Sequence, residues 1–138
     1  MKKITFALML IVALVGCNQN SSKTAQTTIE AISPTDVVVF YFHGKQRCKT
    51  CVAVGDVARE TVEKAFADNE KVHFIEINTS EKGNDALIEK YEVTWNALII
   101  AKGEDFIEIT DQAFSTAVGN PQSLENLIKK EVTKRLTN

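Results

Sequence analysis

The chain has 138 residues, of which 44% are hydrophobic and 25% charged, with a formal net charge of −2. This length and composition predict one globular domain and exclude a fully disordered chain, a collagen and a coiled coil. The small net charge gives no indication of a nucleic-acid partner. Three cysteines are too few for a small domain held together by disulfides, so their positions matter more than their number.

The N-terminal segment is typical of a bacterial secretory signal. Two lysines precede an apolar run over residues 4–15, which is shorter than the roughly 20 residues that span a bilayer. The run ends in Leu-Val-Gly-Cys at residues 14–17, which resembles the lipobox of bacterial lipoproteins. The resemblance implies that residues 1–16 are a lipoprotein signal peptide and that acyl chains on Cys17 anchor the protein to a membrane. A plain signal peptide with an incidental cysteine is the alternative.

Residues 17–33 follow as a lipidated N-terminus and tether. They consist mostly of Asn, Gln, Ser and Thr, which offer little apolar surface for burial, so we expect a flexible linker. The folded domain is predicted at residues 34–138.

Regular hydrophobic patterns begin after Pro34. The β-branched and aromatic run at 37–42 predicts a central strand that is covered on both faces. A polar loop leads to a predicted amphipathic helix over 48–67. Its apolar positions are Cys51, Val54, Ala58, Val62 and Ala65.

The second half of the domain continues the alternation of strands and helices. Strands are predicted at 71–77, 97–101 and 105–110, and a short helix at 84–91. Asn120 and Pro121 are well suited to begin a last helix. Its predicted buried stripe comprises Leu124, Leu127, Ile128, Val132 and Leu136. The order β-α-β-α-β-β-α predicts an α/β fold with a mixed sheet flanked by helices.

The two remaining cysteines form a CxxC motif, Cys-Lys-Thr-Cys at residues 48–51, where the first strand turns into the first helix. The spacing places both sulfurs on one face, close enough to bridge. The helix N-terminus stabilises a thiolate at Cys48, and the cations Lys45, Arg47 and Lys49 lower its pKa further. Cys51 lies further inside the helix and should be more shielded. The motif therefore predicts that Cys48 attacks a partner disulfide and that Cys51 resolves the mixed disulfide.

The run at 37–42, the CxxC that opens a helix and the element order after it resemble the thioredoxin-like superfamily over residues 35–136. The resemblance implies a thioredoxin-like fold with Cys48 as nucleophile and Cys51 as resolving thiol. Residues 41–51 are also similar to small bacterial thioredoxin-like lipoproteins described as subunits of a nitrophenyl-arsenical nitroreductase. We take this narrower likeness as an indication of gene context. No flavin or nicotinamide motif is present, so no cofactor is expected.

Two departures from thioredoxin are visible. Thioredoxins carry a cis-proline before the third core strand, whereas residues 93–97 contain no proline. That proline keeps metals away from the thiols, so its absence favours capture of a soft metal or metalloid. Thioredoxins also hold a buried Asp under the CxxC, and the first strand here offers Tyr41 and Phe42 instead.

Other side chains allow two interpretations each. His43 could assist proton transfer or be an exposed loop histidine, and Trp95 could line a substrate groove or belong to the core. His73 and Tyr41 are expected in packing roles. Glu76 is expected to be a solvated charge. A structural zinc site needs four ligands, which two cysteines and two distant histidines do not supply, so no metal site is predicted.

These observations favour a membrane-tethered thiol–disulfide oxidoreductase of the bacterial cell envelope, on the periplasmic side or at the surface. Its partner would be an envelope protein that carries a disulfide or dithiol. The alternative is a dithiol module that binds a soft ion such as arsenite or Cu(I), as a subunit of a nitroarsenical-detoxifying system. A third hypothesis is a scaffold whose CxxC is a structural disulfide.

Overall fold

A four-stranded mixed sheet forms the centre of the computed structural model, which describes residues 32–138. The strands are β1 (Val37–His43), β2 (Val72–Asn78), β3 (Ala97–Lys102) and β4 (Asp105–Glu108). Their order across the sheet is β2-β1-β3-β4. β1 pairs parallel to β2 and antiparallel to β3, and β3 pairs antiparallel to β4. The prediction of an α/β fold with a mixed sheet is confirmed.

Four helices flank this sheet: α1 (Lys49–Ala65), α2 (Asp85–Lys90), α3 (Thr110–Thr116) and α4 (Pro121–Thr137). Asn120 caps α4 by accepting a hydrogen bond from the backbone N–H of Ser123 at 3.3 Å, and proline follows it, as the sequence predicts. In the described range, none of the helices is both long and apolar enough to cross a membrane. The predicted signal peptide, the lipidated Cys17 and most of the predicted tether lie outside the described residues.

Alternate residues of β1 face two separate hydrophobic clusters. Val37, Val39 and Tyr41 lie in the first cluster, with side chains of α1, α3 and α4. Val38, Phe40 and Phe42 lie in the second, with Tyr91 and partly buried residues of α2. Ile32 is also packed against the second cluster. Because both faces are covered, β1 is buried from Val37 to Phe42, as its unbroken apolar run predicts.

The predicted apolar stripes of the two long helices are mostly confirmed. Four of the five positions on α1 are buried, and Ala65 is exposed because it lies in the last turn. On α4, Leu124, Ile128 and Val132 are buried, while Leu127 and Leu136 are half-buried.

The predicted strand over 105–110 is wrong at its end, because β4 stops at Glu108 and Thr110 begins α3. The Thr110 hydroxyl accepts a hydrogen bond from the backbone N–H of Leu98 at 3.0 Å, so a side chain takes over where strand pairing ends. The buried residues Ile109, Ala113 and Ala117 recur every four positions. This spacing is the helical signal that was available in the sequence.

Candidate functional site

The CxxC motif lies at the N-terminus of α1, directly beyond the buried strand β1. Cys48 is the N-cap residue, with extended backbone (φ −74°, ψ 168°), and its Sγ accepts a hydrogen bond from the backbone N–H of Cys51 at 3.1 Å. The two cysteines form a disulfide, with their Cα atoms 5.0 Å apart. The prediction that the two sulfurs lie close enough to bridge is therefore confirmed.

The two cysteines differ strongly in exposure. Cys48 lies at the surface, whereas Cys51 is only 6% exposed. A bulky partner can therefore approach the sulfur of Cys48 more readily than that of Cys51. The first turn of α1 carries no acidic side chain, and its first residue, Lys49, is exposed. The environment of the Cys48 sulfur thus combines a helix N-terminus with positive charge.

Arg47 folds under the first turn of α1 and leaves only 23% of its side chain exposed. Its Nη2 donates to the carbonyl oxygen of Cys51 at 3.4 Å, and its guanidinium lies 5.4 Å from the centre of the Tyr41 ring. Its Nη1 is 2.6 Å from the Glu76 carboxylate. The charge of Arg47 is therefore compensated by an anion and does not simply add to that of Lys49.

Glu76 is a member of the site that the sequence analysis placed elsewhere. It lies beside Tyr41 in the β1–β2 register, its side chain is 26% exposed, and it pairs with Arg47. The expectation of a solvated charge is wrong, because the flanking residues Ile75 and Ile77 turn to the second cluster and leave Glu76 on the face of α1. Strict alternation in the second strand was the signal that could have placed it there.

His43 is the last residue of β1 and is half-buried, so it is not an exposed loop histidine. Its Nδ1 lies 2.8 Å from the carbonyl oxygen of Gly44, and its Nε2 lies 3.3 Å from Glu76. His43, Arg47 and Glu76 are thus brought together beneath the CxxC turn. His73, by contrast, pairs with Asp36 at the other end of β1.

Tyr41 is fully buried, as expected, and it also contacts the site. Its hydroxyl donates a hydrogen bond to the carbonyl oxygen of Cys51 at 2.6 Å. Burial raises the pKa of Tyr41 above its usual value, and the nearby Arg47 cation opposes this effect. Burial raises the pKa of Tyr91 in the same direction.

We expect both tyrosines, the only two in the chain, to ionise at higher pH in the folded protein than in the unfolded one. The pKa values of Tyr41 and Tyr91 in the folded protein are raised above 10.0. The contribution of the two neutral tyrosines to the free energy of unfolding is therefore fully present below pH 10, and it is lost as the pH rises through the pKa values of the folded protein. Tyrosinate absorbance measured against pH, with a urea-unfolded reference, checks this. Superimposable titrations of the two states would contradict it.

Trp95 is 79% exposed, so it lines a surface groove and does not belong to the core. The groove has a volume of about 370 Å³ and lies beside the loop that leads to Cys48. It is lined by Gly44, Lys45, Gln46, Thr79, Ser80, Thr94 and Trp95.

Within residues 32–138, no group of three or more His, Cys, Asp or Glu side chains is placed to hold a metal ion. A soft ion would have to be held by the two sulfurs of Cys48 and Cys51 after reduction of their disulfide. The metalloid-binding hypothesis stays a prediction.

Comparisons with known proteins do not show a family for this chain. No family model matches the chain, and no curated protein matches it. A solved structure described as "Structure of a malarial protein" is similar, with 21% sequence identity and a TM-score of 0.47. The match covers 69% of this chain and 96% of that one.

Proposed function

We propose that this protein is a thioredoxin-like thiol–disulfide oxidoreductase, tethered to the bacterial cell envelope by a lipid on Cys17. The observation that carries the proposal is the pairing of an exposed Cys48, which caps a 17-residue helix, with a buried Cys51. A structural disulfide has no need of one accessible sulfur at an electropositive helix end. A redox-active pair needs this asymmetry.

The fold supports the same proposal. The motif follows the central strand of a β1-α1-β2 unit, and an antiparallel pair and a closing helix complete the domain. This element order is the one on which the resemblance to the thioredoxin-like superfamily depends. The additional helix α3 is inserted between β4 and the closing helix, far along the chain from Cys48.

The proposed exchange conserves two electrons and two protons. The Cys48 thiolate attacks one sulfur of a partner disulfide, a mixed disulfide forms, and the other partner sulfur leaves as a thiolate that takes up a proton. Cys51 then loses its proton, and its thiolate attacks the Cys48 sulfur and breaks the mixed disulfide, so that the second partner sulfur leaves as a thiolate and takes up a proton. The Cys48–Cys51 disulfide forms and the partner is released as a dithiol. The same steps in reverse oxidise a partner dithiol, so the direction depends on the two reduction potentials.

The helix end favours the attacking thiolate. The unpaired N–H groups and the macrodipole of α1 stabilise an anion at the N-cap position. The backbone N–H of Cys51 already donates to the Cys48 sulfur. We expect these effects to hold the pKa of the reduced Cys48 thiol below that of free cysteine.

The partner in this proposal is an envelope protein that docks beside the motif. The groove that contains Trp95 offers a large exposed aromatic surface next to the loop before Cys48. Exposed aromatic side chains of this kind commonly anchor a partner. We infer that Trp95 contacts the segment around the partner's cysteines.

We expect the Cys48–Cys51 pair to cycle reversibly between disulfide and dithiol in a series of glutathione redox buffers. Alkylation of free thiols followed by mass spectrometry measures the oxidised fraction at each ratio. A variant with Cys17→Ser serves as control, since it leaves only the two motif cysteines. A disulfide that stays fully oxidised across the series would contradict the proposal and favour a structural disulfide.

A further inference from the structure

A half-buried ion pair lies directly beneath the CxxC turn, and the exchange steps above make no use of it. Arg47 Nη1 and Glu76 Oε1 are 2.6 Å apart. Through its Nη2, Arg47 also donates to the carbonyl oxygen of Cys51, which accepts a second hydrogen bond from Tyr41. The ion pair is therefore linked to the backbone of the resolving cysteine.

A glycine in α1 makes this arrangement possible. A Cβ atom on Gly55 would lie 2.6 Å from Arg47 Nη2 and 2.9 Å from the Tyr41 ring. Only a residue without a side chain lets the guanidinium pass under the first turn. The position of Arg47 is thus specified by the helix as well as by Glu76.

The bonding of the Arg47–Glu76 pair is incomplete. Within the part of the chain that the structure describes, Arg47 Nε and Glu76 Oε1 are buried without a hydrogen-bond partner, so the 2.6 Å contact of Arg47 Nη1 with Glu76 is an ion pair without hydrogen-bond geometry. A half-buried ion pair with such a gap contributes little to stability after desolvation. A redox or catalytic role is one of the recognised reasons for which a protein keeps an unsatisfied buried polar group.

Other charges around Glu76 are further away or already engaged. His43 Nε2 lies 3.3 Å from Oε1, and Arg59 lies 3.9 Å from Oε2 while it pairs with Asp56 at 2.9 Å. Arg47 is therefore the closest partner of the Glu76 carboxylate, and Glu76 is the carboxylate that neutralises Arg47.

We propose that Arg47 and Glu76 are positioning residues whose ion pair sets the balance between thiol and thiolate at the CxxC turn, and thereby the reduction potential of the disulfide. This inference rests on the proposed exchange function. With both residues present, the guanidinium charge is largely neutralised. Loss of Glu76 leaves an uncompensated cation beside the turn, and loss of Arg47 leaves an uncompensated anion. The two losses therefore act in opposite directions.

The test uses three variants: Glu76→Gln, Arg47→Gln and the double variant. Glu76→Gln is expected to lower the pKa of the reduced Cys48 thiol and to shift the glutathione equilibrium about three- to tenfold toward the dithiol. Arg47→Gln is expected to shift both quantities about as far in the opposite direction. The double variant should return to within about twofold of the parent, since neither charge remains. A tenfold change corresponds to about 30 mV for this two-electron couple.

The pKa is read from the pH dependence of alkylation of the reduced protein, and the potential from the glutathione equilibrium. The matched controls are Glu60→Gln and Lys64→Gln. These two residues form an exposed ion pair, 2.6 Å apart, on α1, and their replacement should leave both readouts unchanged. Arg47→Lys keeps the charge and should lie closer to the parent than Arg47→Gln. If Glu76→Gln does not fold, Glu76→Asp should shift the pKa in the same direction by a smaller amount.

Shifts of the same sign in the two single variants, or shifts no larger than those of the control pair, would overturn the inference. Failure of the proposed function has a different signature, because the parent disulfide would then not respond to glutathione. The alkylation series needs no partner, and it tests the ion pair in either case.

Discussion

A Cys51→Ser variant, exposed to envelope proteins as the full chain, is expected to accumulate as a mixed disulfide through Cys48. In the parent, Cys51 attacks this bond and releases the partner. Serine cannot do so, because its hydroxyl does not ionise near neutral pH. The captured species should run as a reductant-sensitive adduct in non-reducing electrophoresis. We expect the parent to yield little or none of it.

Two further variants make this result specific. With Cys17→Ser present in every variant, Cys48→Ser should capture nothing, because the sulfur that remains belongs to Cys51, which is 6% exposed. Cys51→Ser combined with Trp95→Ala should capture less than Cys51→Ser alone if the aromatic groove holds the partner. Equal capture by Cys48→Ser and Cys51→Ser would contradict the division of roles between the two cysteines.

Gly55→Ala is expected to destabilise the domain by about 1 kcal/mol, the middle of the range left when the helix gain is subtracted from the overpacking cost. Alanine in a helix normally gains about 1 kcal/mol over glycine. Here the added Cβ would meet both Arg47 and the Tyr41 ring closer than 3.0 Å, and overpacking of this kind costs about 1–3 kcal/mol. The clash prevails because the Tyr41 ring lies in the core and cannot move aside. Urea unfolding followed by circular dichroism measures the change in the free energy of unfolding.

The matched control is Gly119→Ala, between α3 and α4. A Cβ there meets no atom within 4 Å, so its effect should stay within about 0.5 kcal/mol. If Gly55→Ala is as stable as the parent or more stable, the space under the first turn is not as restricted as the structure indicates.

The framework of the fold could be predicted because strong local patterns coincide with the final contacts. The apolar run of β1 is buried on both faces, and the Asn120–Pro121 pair begins α4 where its capping chemistry indicates. The end of β4 is not marked in the alternation of residues 105–110, and only the four-residue spacing of Ile109, Ala113 and Ala117 indicates it. There the Thr110 side chain replaces a strand partner, and local alternation carries no information about such a long-range bond.

The site was only partly predictable. The reactive sulfurs follow from a motif whose chemistry is contained in four consecutive residues. The charged residues beneath the sulfurs come from three places: His43 from β1, Glu76 from β2 and Arg47 from the loop before α1. Glu76 and Arg47 are therefore far apart in the sequence although they form an ion pair. Parallel pairing sets the register that places Glu76 beside Tyr41. The lack of a side chain at Gly55 becomes important only in the folded structure, where this position of α1 packs against Arg47 and Tyr41.

Strand β1 separates the point where the chain enters the domain from the reactive Cys48. The chain enters the domain through the turn at Ser33 and Asp36, before the first residue of β1, whereas Cys48 follows the last. Seven residues of strand separate the two ends by about 20 Å. If the proposed lipid anchors the chain at its N-terminus, the attachment point of the domain and the reactive sulfur therefore lie at opposite ends of β1, so the attachment itself does not block the approach of a partner to Cys48.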